Sequence, residues 1–162
     1  IKRPSKSRGR GAVVVAAFII EMLQDSLDAP GGCLFLHHNL ATGDTDFDRV
    51  WRTLTIYWSA VRDTFPEAWG RPPSESRLMH GAGIRAMGRL MDKVMASVDV
   101  EDEAPERTVR NSLDRMAPMC RWTSGTWEDL RLNWNEVENT HKHHKLLANY
   151  LIRLYFGSRS VK

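Results

Sequence analysis

The clearest hydrophobic pattern in the chain lies between an acidic cluster at residues 44–48 and Pro66. Apolar residues recur there at intervals of three and four, which predicts an amphipathic helix with one face in a core. The acidic side chains favour the start of this helix because its dipole is positive there, and Pro66 ends it. The predicted core face consists of Phe47, Val50, Trp51, Leu54, Tyr57, Trp58, Val61 and Phe65. Trp51 and Trp58 are therefore expected to be core residues.

Four further helices are predicted from similar spacings and from the positions of proline and glycine. They span residues 12–27, 75–98, 105–119 and 135–156. In the first helix the predicted inward residues are Val14, Val15, Phe18, Ile19 and Met22. In the last helix they are Leu147, Tyr150, Leu151 and Leu154. The sequence thus predicts an all-α fold, a single domain of about five helices in an irregular orthogonal bundle.

Length and composition fit one globular domain, since 162 residues with 42% hydrophobic and 27% charged positions can bury a sizeable core. We expect residues 1–11 to form a basic arm or loop and residues 12–162 to form the helical domain. Because the chain starts with Ile1 rather than Met, we expect it to be part of a longer protein. The longest apolar run, residues 12–20, is too short to cross a membrane. No membrane partner and a cytoplasmic location are therefore expected.

Positive charge is concentrated at the two ends of the chain. The formal net charge is +3, yet residues 1–11 and residues 139–162 each carry five basic residues and no acid, so the middle is net acidic. Such basic segments suit phosphate backbones or acidic surfaces, and the alternative is that they are solvated surface. The candidate nucleic-acid-binding residues are Lys2, Arg3, Lys6, Arg8, Arg10, Lys142, Lys145, Asn149 and Arg153.

Three glycines, Gly81, Gly83 and Gly88, fall inside the third predicted helix and superficially suggest a phosphate-binding loop. A Walker loop needs Lys and then Ser or Thr after its last glycine, but Arg89 and Leu90 follow here. A dinucleotide-binding loop needs a preceding strand, and this run continues a helical period. We therefore expect the glycines to allow close approach of a neighbouring element.

Four further tryptophans lie near helix ends or in loops, at Trp69, Trp122, Trp127 and Trp134. Large aromatic side chains in such places pin loops onto a core. Beside basic residues they can instead stack on bases. Both interpretations stay open from the sequence.

Histidines and cysteines do not assemble a convincing reactive site. The three histidines of residues 141–144 point in different directions around a helix, and zinc needs three or four converging ligands. A second pair, at residues 37–38, would have to approach from elsewhere. The sequence therefore predicts no metal, no cofactor and no catalytic residue. Cys33 and Cys120 are expected to be free thiols in a reducing cytoplasm, with a single disulfide as the alternative.

Several stretches resemble the C-terminal helical region of DGQHR-domain proteins, which include the DndB-like proteins of bacterial DNA-modification and phage-defence loci. The similar stretches are residues 7–13, 57–70, 81–87 and 122–127. The most specific part of the resemblance is the order of three features along the chain. An aromatic segment comes first, a Phe-Pro-x-x-Trp motif follows it, and a Gly-x-Gly motif comes last. The Asp-Gly-Gln-His-Arg motif itself is absent, so no catalytic residue of the family carries over to this chain.

The resemblance implies a DNA-associated helical domain with a role in DNA modification, phage defence or transcription regulation. DNA is then the expected partner, and any catalysis would lie in a portion that this chain lacks. The alternative function is a protein-interaction, scaffold or dimerisation module, for which the partner is a second copy or another protein. The acidic middle and the methionines of the third predicted helix favour that alternative.

Overall fold

A computed structural model describes the backbone of residues 7–159 and the side chains of residues 16–159. This part of the chain forms a mostly helical single domain, which confirms the predicted fold class. Its α-helices are α1 (Ser7–Asp28), α2 (Phe47–Thr64), α3 (Gly81–Met95), α4 (Pro105–Met116) and α5 (His141–Arg159). Two short antiparallel strands, β1 (Thr126–Trp127) and β2 (Leu132–Asn133), form a hairpin between α4 and α5. Single 3-10 turns occupy Phe35–His37, Arg77–Met79, Ala117–Met119 and Trp134–Glu136.

The principal helix contacts form a series in the order α1, α3, α5, α4, α2. Each helix in the series packs on the next, whereas α1 and α2, its two ends, make no comparable contact. Residues of both helices instead line the two sides of an open cleft, with the start of α3 beneath it. Helix α5 lies in the middle of the series, so α3 separates it from α1 and α4 separates it from α2.

Helix α2 begins and ends where its sequence pattern predicts. The carboxylate of Asp46 caps its N-terminus by accepting a hydrogen bond from the Arg49 backbone N–H at 3.1 Å. On the buried face, the Tyr57 hydroxyl donates to the Met87 carbonyl at 2.6 Å and ties α2 to α3. The expectation that Trp51 is a core residue is wrong, because 72% of its surface is exposed. Phe47, one turn earlier on the same face, is 74% exposed.

The glycines of α3 permit close helix packing, as predicted. A Cβ at Gly81 would lie 2.7 Å from the ring of Phe18 on α1, and a Cβ at Gly88 would collide with Met22 on the same helix. The ion pair of Arg85 with Asp25, at 2.9 Å, closes the edge of this α1–α3 interface. Helix α3 begins only at Gly81, since His80 occupies its N-cap and accepts a hydrogen bond from the Ala82 backbone N–H.

The starts of two other helices differ from the predicted ones. Helix α1 begins at Ser7, so residues 7–11 belong to the helix rather than to a loop. Helix α5 begins at His141, not at residue 135. Asn133 and Glu136 cap a separate 3-10 turn, and the Thr140 hydroxyl caps α5 by accepting a hydrogen bond from the His143 backbone N–H at 3.2 Å. Within residues 7–159, no helix combines the length and the apolarity needed to cross a membrane.

Candidate nucleic-acid interface

The outer face of α5 carries the four residues that the sequence selected on this helix. Lys142, Lys145, Asn149 and Arg153 are all exposed, and we call this set the α5 basic face. Their spacing of three and four residues places them on one side of the helix. The opposite side is buried against the core through Leu147, Ala148, Tyr150, Leu151 and Tyr155. The predicted division of the helix into an apolar and a basic side is therefore confirmed.

The basic side chains of the α5 basic face form no ion pair within the described part of the chain. No acidic residue follows Glu138 in the sequence. None of the three basic side chains forms an ion pair with a carboxylate among residues 16–159, whereas six other pairings of basic and acidic atoms occur there. Unpaired cations on a rigid surface are available to an anionic partner.

A row of aromatic rings, packed edge-to-face, supports this surface from beneath. The Arg153 guanidinium lies 5.7 Å from the centre of the Tyr150 ring, a cation–π arrangement. Tyr150 packs edge-to-face on Trp127 at 5.9 Å, and Trp127 packs in the same way on Trp122 at 5.1 Å. Trp122 then meets Phe65, at the end of α2, at 6.0 Å. For Trp122 and Trp127 the pinning of loops onto the core is thus confirmed, and the hairpin is fixed beside α5.

Arg77 fixes the segment that leads into α5. Its guanidinium donates to the carbonyls of Pro73 at 2.7 Å, Asn135 at 2.8 Å and Val137 at 2.9 Å. The same group lies 5.7 Å from the centre of the Trp134 ring. The hydrogen bonds of Arg77 to these three backbone carbonyls therefore fix the position from which α5 starts.

The N-terminal candidates cannot be placed relative to this surface. Lys2, Arg3 and Lys6 lie outside the described residues. Arg8 and Arg10 belong to α1, but their side chains also lie outside the described part. The structure therefore brings together only the four candidates on α5.

The histidines of α5 serve different structural roles. His144 is 2% exposed, and neither ring nitrogen has a hydrogen-bond partner among the described residues. Burial, reinforced by the nearby charges of Arg85 and Arg89, lowers the pKa of His144 to about 4. His143 instead accepts a hydrogen bond from the Glu138 backbone N–H at 2.9 Å. Within residues 7–159, no three residues of metal-ligating type come together.

Both cysteines are free thiols. Burial, reinforced by the charge of Asp92, raises the pKa of Cys33 to about 12. Burial also raises the pKa of Cys120 to about 12. At neutral pH both thiols are protonated, and the thiolate is the nucleophilic form.

Comparison with known proteins finds similarity to parts of isoleucine–tRNA ligases. The chain is 33% identical over 112 residues to the isoleucine–tRNA ligase of Methanoculleus marisnigri, which covers 64% of this chain and 10% of that protein. For the enzyme of Methanosarcina barkeri the identity is 37% over 85 residues, or 50% of this chain and 7% of the relative. For the enzyme of Natronomonas pharaonis the identity is 27% over 116 residues, which covers 65% of this chain and 11% of that protein. The chain thus spans about a tenth of the length of these relatives. No protein-family model and no solved structure matches it.

These relatives correct the functional expectations drawn from the sequence. The resemblance to DGQHR-domain proteins is wrong, because the proteins that match are ligases that act on tRNA. A role in DNA modification, phage defence or transcription regulation is overturned with it. The alternative of a scaffold or dimerisation module finds no support in these relatives either.

Proposed function

We propose that this chain is an RNA-contacting helical segment of a tRNA-handling protein, and that the α5 basic face lies against tRNA phosphates. The observation that carries the proposal is the set of three exposed, unpaired cations on one side of a helix whose other side is buried. The names of the relatives supply the class of nucleic acid. The proposal therefore combines a phosphate-binding surface from the structure with a substrate class from the relatives.

The geometry of α5 suits backbone contact. Lys142, Lys145 and Arg153 extend over eleven residue steps, or about 16 Å of helix, which is enough to meet more than one phosphate. Their contribution is electrostatic and does not select a sequence. The amide of Asn149, between Lys145 and Arg153, can both donate and accept hydrogen bonds. Asn149 is therefore the residue of the face that can add contacts to sugar or base groups.

We assign binding rather than bond-making to this segment. The relatives are enzymes by name, but the chain spans only about a tenth of their length. The thiols of Cys33 and Cys120 are protonated at neutral pH, and the ring of His144 is 2% exposed, which keeps it from contact with a substrate. None of these groups is poised as a nucleophile, so a chemical step in a longer protein would use other residues.

The test is a salt series of binding measurements with fluorescently labelled tRNA and a DNA duplex of similar length. Changing Lys142, Lys145 and Arg153 together to Ala should weaken tRNA binding at low salt. The slope of log affinity against log salt should flatten by about two to three, since each lost phosphate contact removes slightly less than one. The unchanged protein should bind tRNA more tightly than the DNA duplex.

A matched control removes the same charge from elsewhere. Lys93, Arg107 and Arg115 are exposed residues of α3 and α4. Changing these three to Ala should leave more of the tRNA affinity than the α5 variant does. Equal losses in the two triple variants would show that net charge alone drives binding and would overturn the assignment to α5. Tighter binding to the DNA duplex would overturn the choice of tRNA.

A further inference from the structure

The cleft between α1 and α2 is a second candidate site, separate from the α5 basic face. It encloses about 460 Å³. Ile19 and Met22 of α1 form one side, Trp51 and Trp58 of α2 form the other, and Ile84 of α3 lies among the lining residues. Its walls are almost entirely apolar, and Ile19 and Trp51 remain exposed. An apolar concavity of this size is typical of small-molecule sites.

Polar groups line only one part of this cleft, along a single helix. Thr55, Ser59 and Arg62 follow one another at intervals of four and three residues on α2. Arg62 binds Asp63 through Nε at 2.9 Å and Nη2 at 3.5 Å, so the hydrogens of Nη1 take no part in that pair. These donors favour a ligand that carries an acidic group.

The lining of α2 also sets an upper limit on the length of the ligand. It extends from Trp51 to Arg62, which corresponds to about 16 Å along the helix axis. The aromatic ring of Trp51 lies at one end of this stretch and the cation of Arg62 at the other. A ligand that follows the helix would place an apolar chain among the tryptophans and its charge beside Arg62.

We propose that this cleft binds a small amphipathic carboxylate, with its alkyl chain between α1 and α2 and its carboxylate at Arg62. The proposal does not depend on the RNA-binding role, since α3 and α4 lie between α5 and the two helices of the cleft. Burial of the chain would cover the apolar surface that α1 and α2 leave open. The guanidinium of Arg62 would supply charge-assisted hydrogen bonds to the carboxylate.

Octanoate is the probe for this proposal, and 1-octanol is the matched probe without a charge. Isothermal titration of the protein with octanoate should show saturable binding. Arg62→Ala should weaken octanoate binding about tenfold, a loss in the range of one charged hydrogen bond, and leave octanol binding unchanged. Arg52→Ala removes an equal charge from α2 at a residue that does not line the cleft, and it should leave octanoate binding unchanged.

A blocking variant tests the location. Thr55 is exposed at the edge of the cleft, so Thr55→Trp should fold normally and fill the entrance. It should abolish octanoate binding while tRNA binding and thermal stability stay unchanged. Absence of saturable octanoate binding by the unchanged protein at millimolar ligand would overturn the proposal. Binding that survives Thr55→Trp would overturn it too, as would a dimer in sedimentation that forms through the cleft and is insensitive to octanoate.

Discussion

Helix α1 has two neighbouring helix surfaces, and it packs on one of them but not on the other. Towards α3, the glycines at positions 81 and 88 leave room for Phe18 and Met22, and the helices lie in contact. Towards α2, the facing side chains include Trp51 and Trp58, and a cleft remains. Since the size of the side chains at a contact sets the distance between helices, the glycines allow α1 and α3 to lie close together. Apolar character alone does not decide whether two helices meet.

The largest effect is expected from enlarging a glycine in the closed interface. Gly88→Val would place two methyl groups where Met22 now lies, so we expect a loss of about 2–3 kcal/mol in the free energy of unfolding. Urea denaturation of the variant and the unchanged protein measures this loss.

Gly157→Ala is the control for that substitution. Gly157 is also helical, but a Cβ there would meet nothing within 4 Å. Its replacement should stabilise the protein by up to about 1 kcal/mol because alanine is the better helix former. If Gly88→Val proved as harmless as Gly157→Ala, the close approach of α1 and α3 would not be what stabilises this side of the molecule.

An intermediate effect is expected from acid at the interface of α3 and α5. The pKa of His144 is about 4 in the folded protein, below its usual value of 6.5. Between these two values the unfolded chain binds the proton more readily, so stability is complete above about pH 6.5 and falls towards about pH 4. We expect His144 to account for a loss of about 1–3 kcal/mol over this range.

His144→Leu measures that contribution. The variant should match the unchanged protein in urea at about pH 7.5 and exceed it at about pH 4.5, because leucine cannot take up a proton. The exposed His141, whose ring lies 5.5 Å from that of His144, provides the control. His141→Ala should keep most of the acid-induced loss. Parallel acid losses in the unchanged protein and His144→Leu would assign the acid sensitivity to other groups.

The smallest effect is expected in the open cleft. Trp51→Ala removes a side chain that is 72% exposed, so thermal unfolding should shift by an amount equivalent to less than about 0.5 kcal/mol. Phe47→Ala, at an equally exposed aromatic residue on the same helix, should behave alike. A loss above about 1 kcal/mol at Trp51 would show that the tryptophan stabilises the fold and would remove the contrast between the two sides of α1.

The sequence predicts the helices better than it predicts their neighbours. Periodicity and the cap at Asp46 define α2 correctly, since both are local. The same periodicity places Phe47 and Trp51 on the buried stripe, because it cannot show that no helix packs against that end. The sequence did contain one relevant signal. This helix of 18 residues carries more large apolar side chains than a single neighbouring helix can cover.

The two candidate sites differ in the same way. The α5 basic face follows from helical spacing, because Lys142 and Arg153 belong to one element whose apolar side is clear. The cleft combines residues of α1, α2 and α3, and their meeting depends on tertiary packing. Periodicity also does not locate the start of α5 at His141, where the Thr140 hydroxyl accepts a hydrogen bond from the His143 backbone N–H. A threonine directly before a helix is itself a recognisable helix-start signal.

Because of the hydrogen bonds of Arg77, we expect the fold to survive a break in the chain at one loop. These hydrogen bonds join chain segments that lie 58 and 60 residues apart, on either side of residues 99–103. Ion pairs of Glu101 with Arg49 and Arg52 link that loop to α2, and its half-buried Val100 packs against the core. A protease that cuts there would leave two fragments joined by Arg77 and by the packing of α3 on α5. Separately produced fragments should therefore reassemble, and the intact loop serves mainly to raise their effective concentration.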